Sequence, residues 1–130
     1  MLKINNVEYE KIEKFIDFDS FEAVVDGRKR KGKALYITLK SSIFKLGIET
    51  LFDYEWIIEL KLNEEKDISK YIIGISYEDE NGWMYLSDKC NCVINRIHKD
   101  SFGFNLIGNF EECGEVLNIE YDDILKIEQL

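Results

Sequence analysis

Apolar and polar residues alternate with a period of two through most of this chain, and this alternation is the feature that most restricts the fold. Successive side chains of a β-strand point to opposite faces, so an alternating segment predicts a strand with one face buried and the other in water. The pattern occurs in five segments: "KALYITLK" (33–40), "WIIELKLN" (56–63), "YIIGISYE" (71–78), "SFGFNLIGNF" (101–110) and "EVLNIEYD" (115–122). In the third segment it places Ile73 on the same face as Ile75 and Tyr77.

Segments rich in turn-forming residues separate the predicted strands. Asn81-Gly82 predicts a two-residue type I′ hairpin turn, because that turn requires positive φ at both central positions. Further chain reversals are predicted at "HKDSF" (98–102) and at "EECGE" (111–115). The segment "DGRKRKGK" (26–33) has a glycine near each end, which favours a longer loop between two strands.

Two segments depart from the alternating pattern. "SSIFKLGIETLFDYE" (41–55) predicts a short helix, because apolar residues recur in it at helical spacing and a serine can cap its start. "NNVEYEKIEKF" (5–15) fits either a hairpin turn at Asn5-Asn6 or a helix capped at Asn5. The chain as a whole predicts one mainly β domain over residues 1–130, an antiparallel β-sandwich or barrel with one or two short helices.

The densest charge in the chain is a run of basic residues near the end of the first quarter. It consists of Arg28, Lys29, Arg30, Lys31 and Lys33. The other 12 basic residues stand against 26 acidic ones, so the rest of the chain carries a charge of −14. A nucleic acid would have to approach that acidic body, and the run contains no aromatic residue to stack on bases. We therefore interpret the run as a solvated loop and expect no nucleic-acid binding.

Cysteine usage favours free thiols over a disulfide or a metal site. The three cysteines are Cys90, Cys92 and Cys113, an odd number, and the first two would lie roughly 6.5 Å apart on one strand face. Zinc sites use the spacing Cys-x2-4-Cys, which lets a turn direct both sulfurs at one ion, and that spacing is missing. We predict reduced thiols, no metal and no cofactor.

No pattern in the sequence points to catalysis. The single histidine, His98, precedes a predicted turn, and no cysteine is placed to pair with it. No nucleophile elbow, zinc-protease motif or phosphate-binding loop is present. The acidic segment "DFDSFE" (17–22) lacks the glycine of a calcium loop and contains two phenylalanines. We expect no catalytic residues.

The N-terminal residues and the longest apolar runs bear on location. Charged residues interrupt the first fifteen positions, which argues against a signal peptide. No apolar run approaches the ~18 residues that a membrane span requires. The expected location is the cytoplasm, with no membrane partner.

The segment "YEDENGWMY" (77–85) is the best candidate for a partner-binding site. It combines acidic and aromatic residues around one turn: Glu78, Asp79, Glu80, Trp83 and Tyr85. Acidic side chains raise the rate of encounter with a basic surface, and buried aromatic area then holds the complex. Trp83, which follows the turn, is a better candidate for exposure than Trp56; the alternative is a solvated hairpin with Trp83 tucked inward.

In its small size, its net charge of −9, its strand-rich pattern and its lack of catalytic motifs, the chain resembles immunity proteins of bacterial polymorphic-toxin and contact-dependent growth inhibition systems. The resemblance implies a cytoplasmic bacterial protein that binds a cognate cationic toxin, or another basic protein surface, and blocks its active site. It transfers no site residue, because those proteins have many unrelated folds. The alternative functions are a ligand-binding or accessory β domain, and then a small enzyme.

Overall fold

The computed structural model describes residues 1–25, 27–52, 59–112 and 114–126, with the backbone alone for 18–25, 28–34, 52 and 112. The elements are β1 (Leu2–Ile4), β2 (Val7–Tyr9), β3 (Glu13–Val25), β4 (Arg28–Lys40), β5 (Phe44–Phe52), β6 (Glu65–Asp67), the 3-10 helix η1 (Ser69–Tyr71), β7 (Ile72–Asp79), β8 (Met84–Ser87), β9 (Cys90–His98), β10 (Ser101–Glu112) and β11 (Glu115–Lys126).

The strands form two antiparallel sheets. The first sheet has the order β2-β1-β11-β10-β9-β6, and the second has the order β3-β4-β5-β7-β8. We call them the six-stranded and the five-stranded sheet. The prediction of a mainly β antiparallel fold is confirmed, and of the two predicted architectures the structure has the sandwich.

The core lies between the sheets, and the side chains that form it come from every second position of the strands, as predicted. Leu35, Ile37 and Leu39 of β4 are buried in the five-stranded sheet, and Phe102 and Phe104 of β10 are buried in the other. Complete burial of each such side chain stabilises the fold by roughly 1.5–3 kcal/mol before entropy is counted. The predicted strands of "KALYITLK", "SFGFNLIGNF" and "EVLNIEYD" are therefore confirmed.

Strand β7 contains a β-bulge that moves Ile73 to the face opposite to the predicted one. Glu49 pairs with Gly74, but the next residue of β5, Thr50, pairs with Ile72, so Ile73 is an extra residue. Ile73 is 46% exposed whereas Ile72 is buried. The prediction that Ile73 shares the face of Ile75 is wrong, because an inserted residue shifts the alternation by one position.

The prediction of a helix within residues 41–55 is wrong, because residues 44–52 form strand β5. Phe44, Leu46 and Ile48 of β5 are buried at every second position, and β5 pairs with β4 on one side and β7 on the other. The helical spacing was incidental, because pairing with two neighbouring strands satisfies the backbone and outweighs local propensity. The last residues of the segment, 53–55, lie outside the described residues.

The strand predicted for "WIIELKLN" is wrong where it is described. Trp56 and Ile58 lie outside the described residues, and residues 59–63 contain no strand. A turn occupies this stretch: the Glu64 N–H donates to the Lys61 carbonyl at 3.0 Å, and Asn63 has φ 68°. Asparagine tolerates this left-handed conformation, which is incompatible with an extended strand.

The N-terminal hairpin follows one of its two predicted alternatives. Asn5 and Asn6 have φ values of 50° and 66°, and Ile4 pairs with Val7 across them. Positive φ at both residues is the type I′ geometry. The hairpin turn is confirmed and the capped helix is excluded.

The basic run lies in a strand, so the prediction of a long loop is wrong. Strand β4 begins at Arg28, which pairs with Val25, and Gly27 has φ 74°. A left-handed glycine permits a short connection, so the strands pair up to the turn instead of separating. Only the backbone of residues 28–34 is described, so the contacts of the basic side chains are not assigned.

Candidate functional site

The tip of the β7–β8 hairpin carries the residues predicted to bind a partner, but its turn differs from the prediction. The Asp79 N–H donates to the Trp83 carbonyl at 3.0 Å, so three residues, Glu80, Asn81 and Gly82, form the loop. Gly82 has φ 79°, whereas Asn81 is not among the residues with positive φ. The prediction of a two-residue type I′ turn is therefore wrong, although the hairpin itself forms at this place.

The Asp79 side chain determines this turn. Its Oδ1 accepts hydrogen bonds from the backbone N–H groups of Asn81 and Trp83, both at 2.9 Å. A carboxylate that holds two backbone donors fixes the loop in one conformation, in competition with the type I′ geometry. Asp79 is half-buried, so it supports the tip more than it presents charge to a partner.

The five predicted site residues lie on one hairpin but differ in exposure. Trp83 is 58% exposed, and Glu80 is also exposed, as expected for contact residues. Glu78 and Tyr85 are half-buried. Tyr85 packs against Tyr77 with ring centroids 6.0 Å apart, and its hydroxyl donates to Glu115 Oε2 at 3.1 Å. Trp83 and Glu80 are therefore the residues that a partner can reach first.

The outward face of β8 adds two apolar residues that were not among the predicted site residues. Met84 is 51% exposed and Leu86 is 71% exposed. They alternate with the inward Tyr85 in "WMYLS", so the period-two rule applied to this short segment would have found them. Together with Trp83, which directly precedes β8, they form an exposed apolar patch at the edge of the five-stranded sheet.

This patch borders a groove on the outer face of the five-stranded sheet. The groove has a volume of about 560 Å³. The strand register aligns Thr38, Gly47, Ser76 and Leu86 in one row, with small residues in the middle. Glycine has no side chain and serine has a short one. The outer surface of the sheet is therefore recessed at Gly47 and Ser76 and raised at Thr38 and Leu86 on either side. Further lining residues are Tyr36, Glu49, Ile73, Gly74 and Asp88.

A group of linked polar side chains joins the two sheets at another place. Lys14 Nζ on β3 contacts Asp123 Oδ2 on β11 at 2.7 Å, and the Tyr121 hydroxyl donates to the same oxygen at 2.8 Å. Burial, followed by the bond to Asp123, raises the pKa of Tyr121. Burial alone would raise the pKa of Asp123, but the bonds from Lys14 and Tyr121 outweigh it and lower that pKa. The arrangement links β3 to β11 through one ion pair, beside one hydrogen bond within β11.

The cysteines and the histidine do not meet in the described part of the structure. Cys92 is a buried free thiol and Cys90 a half-buried one, and burial is the main cause that raises the pKa of each. His98 is exposed, with its Nδ1 2.9 Å from Asp100 Oδ1. Cys113 lies outside the described residues. Among those that are described, no three side chains of the metal-binding types converge.

In the described part of the chain, no helix is long and apolar enough to cross a membrane. Comparisons with protein-family models, with curated proteins and with solved structures found no match, so any functional assignment depends on the geometry of the molecule itself.

Proposed function

We propose that this domain binds a basic protein and neutralises it, as an immunity protein does with a cognate cationic toxin. The observation that carries the proposal is the β7–β8 tip, where the exposed Trp83 lies beside carboxylates on a loop held by four internal hydrogen bonds of Asp79. A rigid tip loses little conformational entropy on binding, so more of the contact energy contributes to affinity.

The charge of the hairpin supports a basic partner. Residues 71–88 contain four acidic side chains, Glu78, Asp79, Glu80 and Asp88, and no lysine or arginine. The whole chain has a net charge of −9, so its wider field has the same sign as the tip. Complementary charge increases the association rate and disfavours acidic partners.

The aromatic and apolar side chains support a stable complex and not merely an encounter. Trp83 and Met84 are both more than half exposed, at 58% and 51%, and they are adjacent in the chain. Tryptophan is among the residues that most often dominate binding energy when buried at the centre of an interface. The acidic residues then act mainly on association, and Trp83 acts on dissociation.

The test begins with toxin-domain proteins encoded beside this gene in the source genome. Each is purified, and its binding to the domain is measured by surface plasmon resonance at several salt concentrations. Trp83→Ala should accelerate dissociation by roughly tenfold or more, which corresponds to ~1.4 kcal/mol. Glu80→Gln should slow association and reduce its salt dependence, with little change in dissociation.

A matched control is available on the other sheet. Ile107 is 59% exposed on β10, almost the same as Trp83, so Ile107→Ala removes exposed apolar area far from the tip. It should leave both rates unchanged. If no neighbouring basic protein binds, or if Trp83→Ala and Glu80→Gln behave like Ile107→Ala, the proposed function is wrong.

A further inference from the structure

The groove on the outer face of the five-stranded sheet contains two carboxylates in a mostly apolar setting. Glu49 is half-buried and Asp88 is exposed, and both line the groove. Among the residues whose side chains are described, no lysine, arginine or histidine lines it. Among the described residues, neither carboxylate has a salt-bridge partner. The groove therefore has acidic groups available within it, which points to a cationic occupant.

The floor and walls suit the stem of a long side chain. Gly47 and Gly74 lie on neighbouring strands and expose backbone at the floor, and Ile73 and Leu86 supply apolar walls. Ile73 faces outward only because of the bulge in β7. Arginine and lysine combine an aliphatic stem with a charged head, and they place the stem on apolar surface while the head remains near water or a carboxylate.

We propose that this groove receives an arginine or lysine side chain from an extended segment of a basic partner protein, with the aliphatic stem over Gly47 and Gly74 and the charged head at Glu49 or Asp88. The inference rests on the proposed function for the nature of the partner and adds a second contact surface to the hairpin. Leu86 on β8 borders both surfaces, so one partner can cover the hairpin and the groove together.

Two other occupants fit the groove less well. A second copy of this chain, packed symmetrically on the same face, would bring two Glu49 carboxylates and two Asp88 carboxylates together, and like charges at an interface are unfavourable. A small ligand usually enters a cavity that encloses most of its surface. This groove lies on the outer face of a sheet and covers only one side of what occupies it.

The test uses a defined probe, so it does not require the toxin. The probe is the peptide acetyl-Gly-Val-Arg-Val-Gly-amide, and its matched controls carry norleucine or glutamate in place of arginine. Binding is followed through the methyl NMR signals of Ile73 and Leu86 in the full-length protein. The arginine peptide should shift these signals and saturate in the millimolar range, and the glutamate peptide should not shift them.

Variants then assign the contacts. Glu49→Gln and Asp88→Asn should each raise the dissociation constant for the arginine peptide about two- to fivefold, the range for partly exposed charge pairs. Glu120→Gln is the matched control, because Glu120 is an exposed carboxylate on the outer face of the other sheet, and it should have no effect. If one variant fails to fold, as judged by its NMR spectrum, the other still tests the proposal.

Three results would overturn the inference: equal binding of the arginine and norleucine peptides, no response of Ile73 and Leu86, or unchanged affinity in both carboxylate variants. Self-association that perturbs these two signals without peptide would also overturn it, since a second copy would then be the occupant. The peptide assay contains no toxin and reports on the groove alone. Failure of the groove and failure of the hairpin to bind a toxin are therefore distinguishable.

Discussion

The contact between Lys14 and Asp123 permits a quantitative test of how the two sheets are held together. It joins residues 109 positions apart in sequence, one in each sheet. The Lys14 side chain is 40% exposed and that of Asp123 is 25% exposed. We consider the variants Lys14→Met and Asp123→Asn, which remove one charge each while keeping most of the side-chain volume, together with the double variant.

The degree of exposure sets the expected magnitude. Exposed ion pairs are worth ~0.2–1 kcal/mol, whereas hydrogen bonds to charged groups are worth ~1.5–3 kcal/mol when they are shielded from water. A half-buried pair at 2.7 Å falls between these cases, so we expect a coupling energy of about 1 kcal/mol from the double-mutant cycle. For a chain of this size, that corresponds to a change in melting temperature of roughly 3–5 °C.

The pKa of Asp123 gives the pH dependence and its sign. Its folded-state pKa is lowered from the ordinary value of 3.8. A group with a lowered folded pKa stabilises the protein above its unfolded pKa, and the contribution disappears as the pH falls through the lower folded value. The stability difference between the native protein and Asp123→Asn should therefore be full at neutral pH and should shrink below about pH 4.

The free energy of unfolding is measured by urea denaturation at neutral pH and at several values below pH 4. Asp122→Asn provides the control, because Asp122 is 50% exposed and lies 3.3 Å from the N-terminal amine. Its effect should be smaller than that of Asp123→Asn. A coupling energy near zero, or a difference for Asp123→Asn that is the same at all pH values, would refute the argument from geometry.

Four further predictions concern the core, the turn, the thiols and the basic run. Ile75→Ala, at a position 1% exposed, should lower the free energy of unfolding by ~2–5 kcal/mol, whereas Ile73→Ala in the bulge should cost much less, and equal losses in urea denaturation would contradict the observed faces. Gly82→Ala should cost roughly 1–2 kcal/mol, because φ is 79° and no atom of the described residues lies within 4 Å of an added Cβ, so the cost is conformational; an unchanged melting temperature would count against this turn. Thiol titration should give three thiols in denaturant with no stoichiometric zinc, and buried Cys92 should react slowly in the native protein; one zinc per chain would contradict this. Filter binding to DNA and RNA at about 150 mM salt should show no affinity in the low micromolar range, and tight binding lost on neutralising Arg28, Lys29, Arg30 and Lys31 would disprove the interpretation of the basic run.

The candidate site was predictable where it depends on neighbouring residues. The hairpin at 78–85 follows from a turn signal next to acidic residues. The exposure of Trp83 was one of two alternatives that the sequence left open. The turn type did not follow, because the Asp79 side chain holds the loop through two hydrogen bonds that a rule for residue pairs does not include. The groove was not predictable, because its row of Thr38, Gly47, Ser76 and Leu86 comes from four strands, and their register is known only once they pair.

The same division applies to the fold. The alternation of apolar residues by itself determined that Phe102, Phe104 and Leu106 face the core, since the two-residue period of a strand is a local property of the backbone. The turn at Asn5-Asn6 was also local, because asparagine readily adopts positive φ. Only the tertiary structure made residues 44–52 a strand, turned Ile73 outward and brought Lys14 to Asp123. These outcomes depend on which distant segments pair and in what register, and the burial of a shared core decides that, with local preference contributing little.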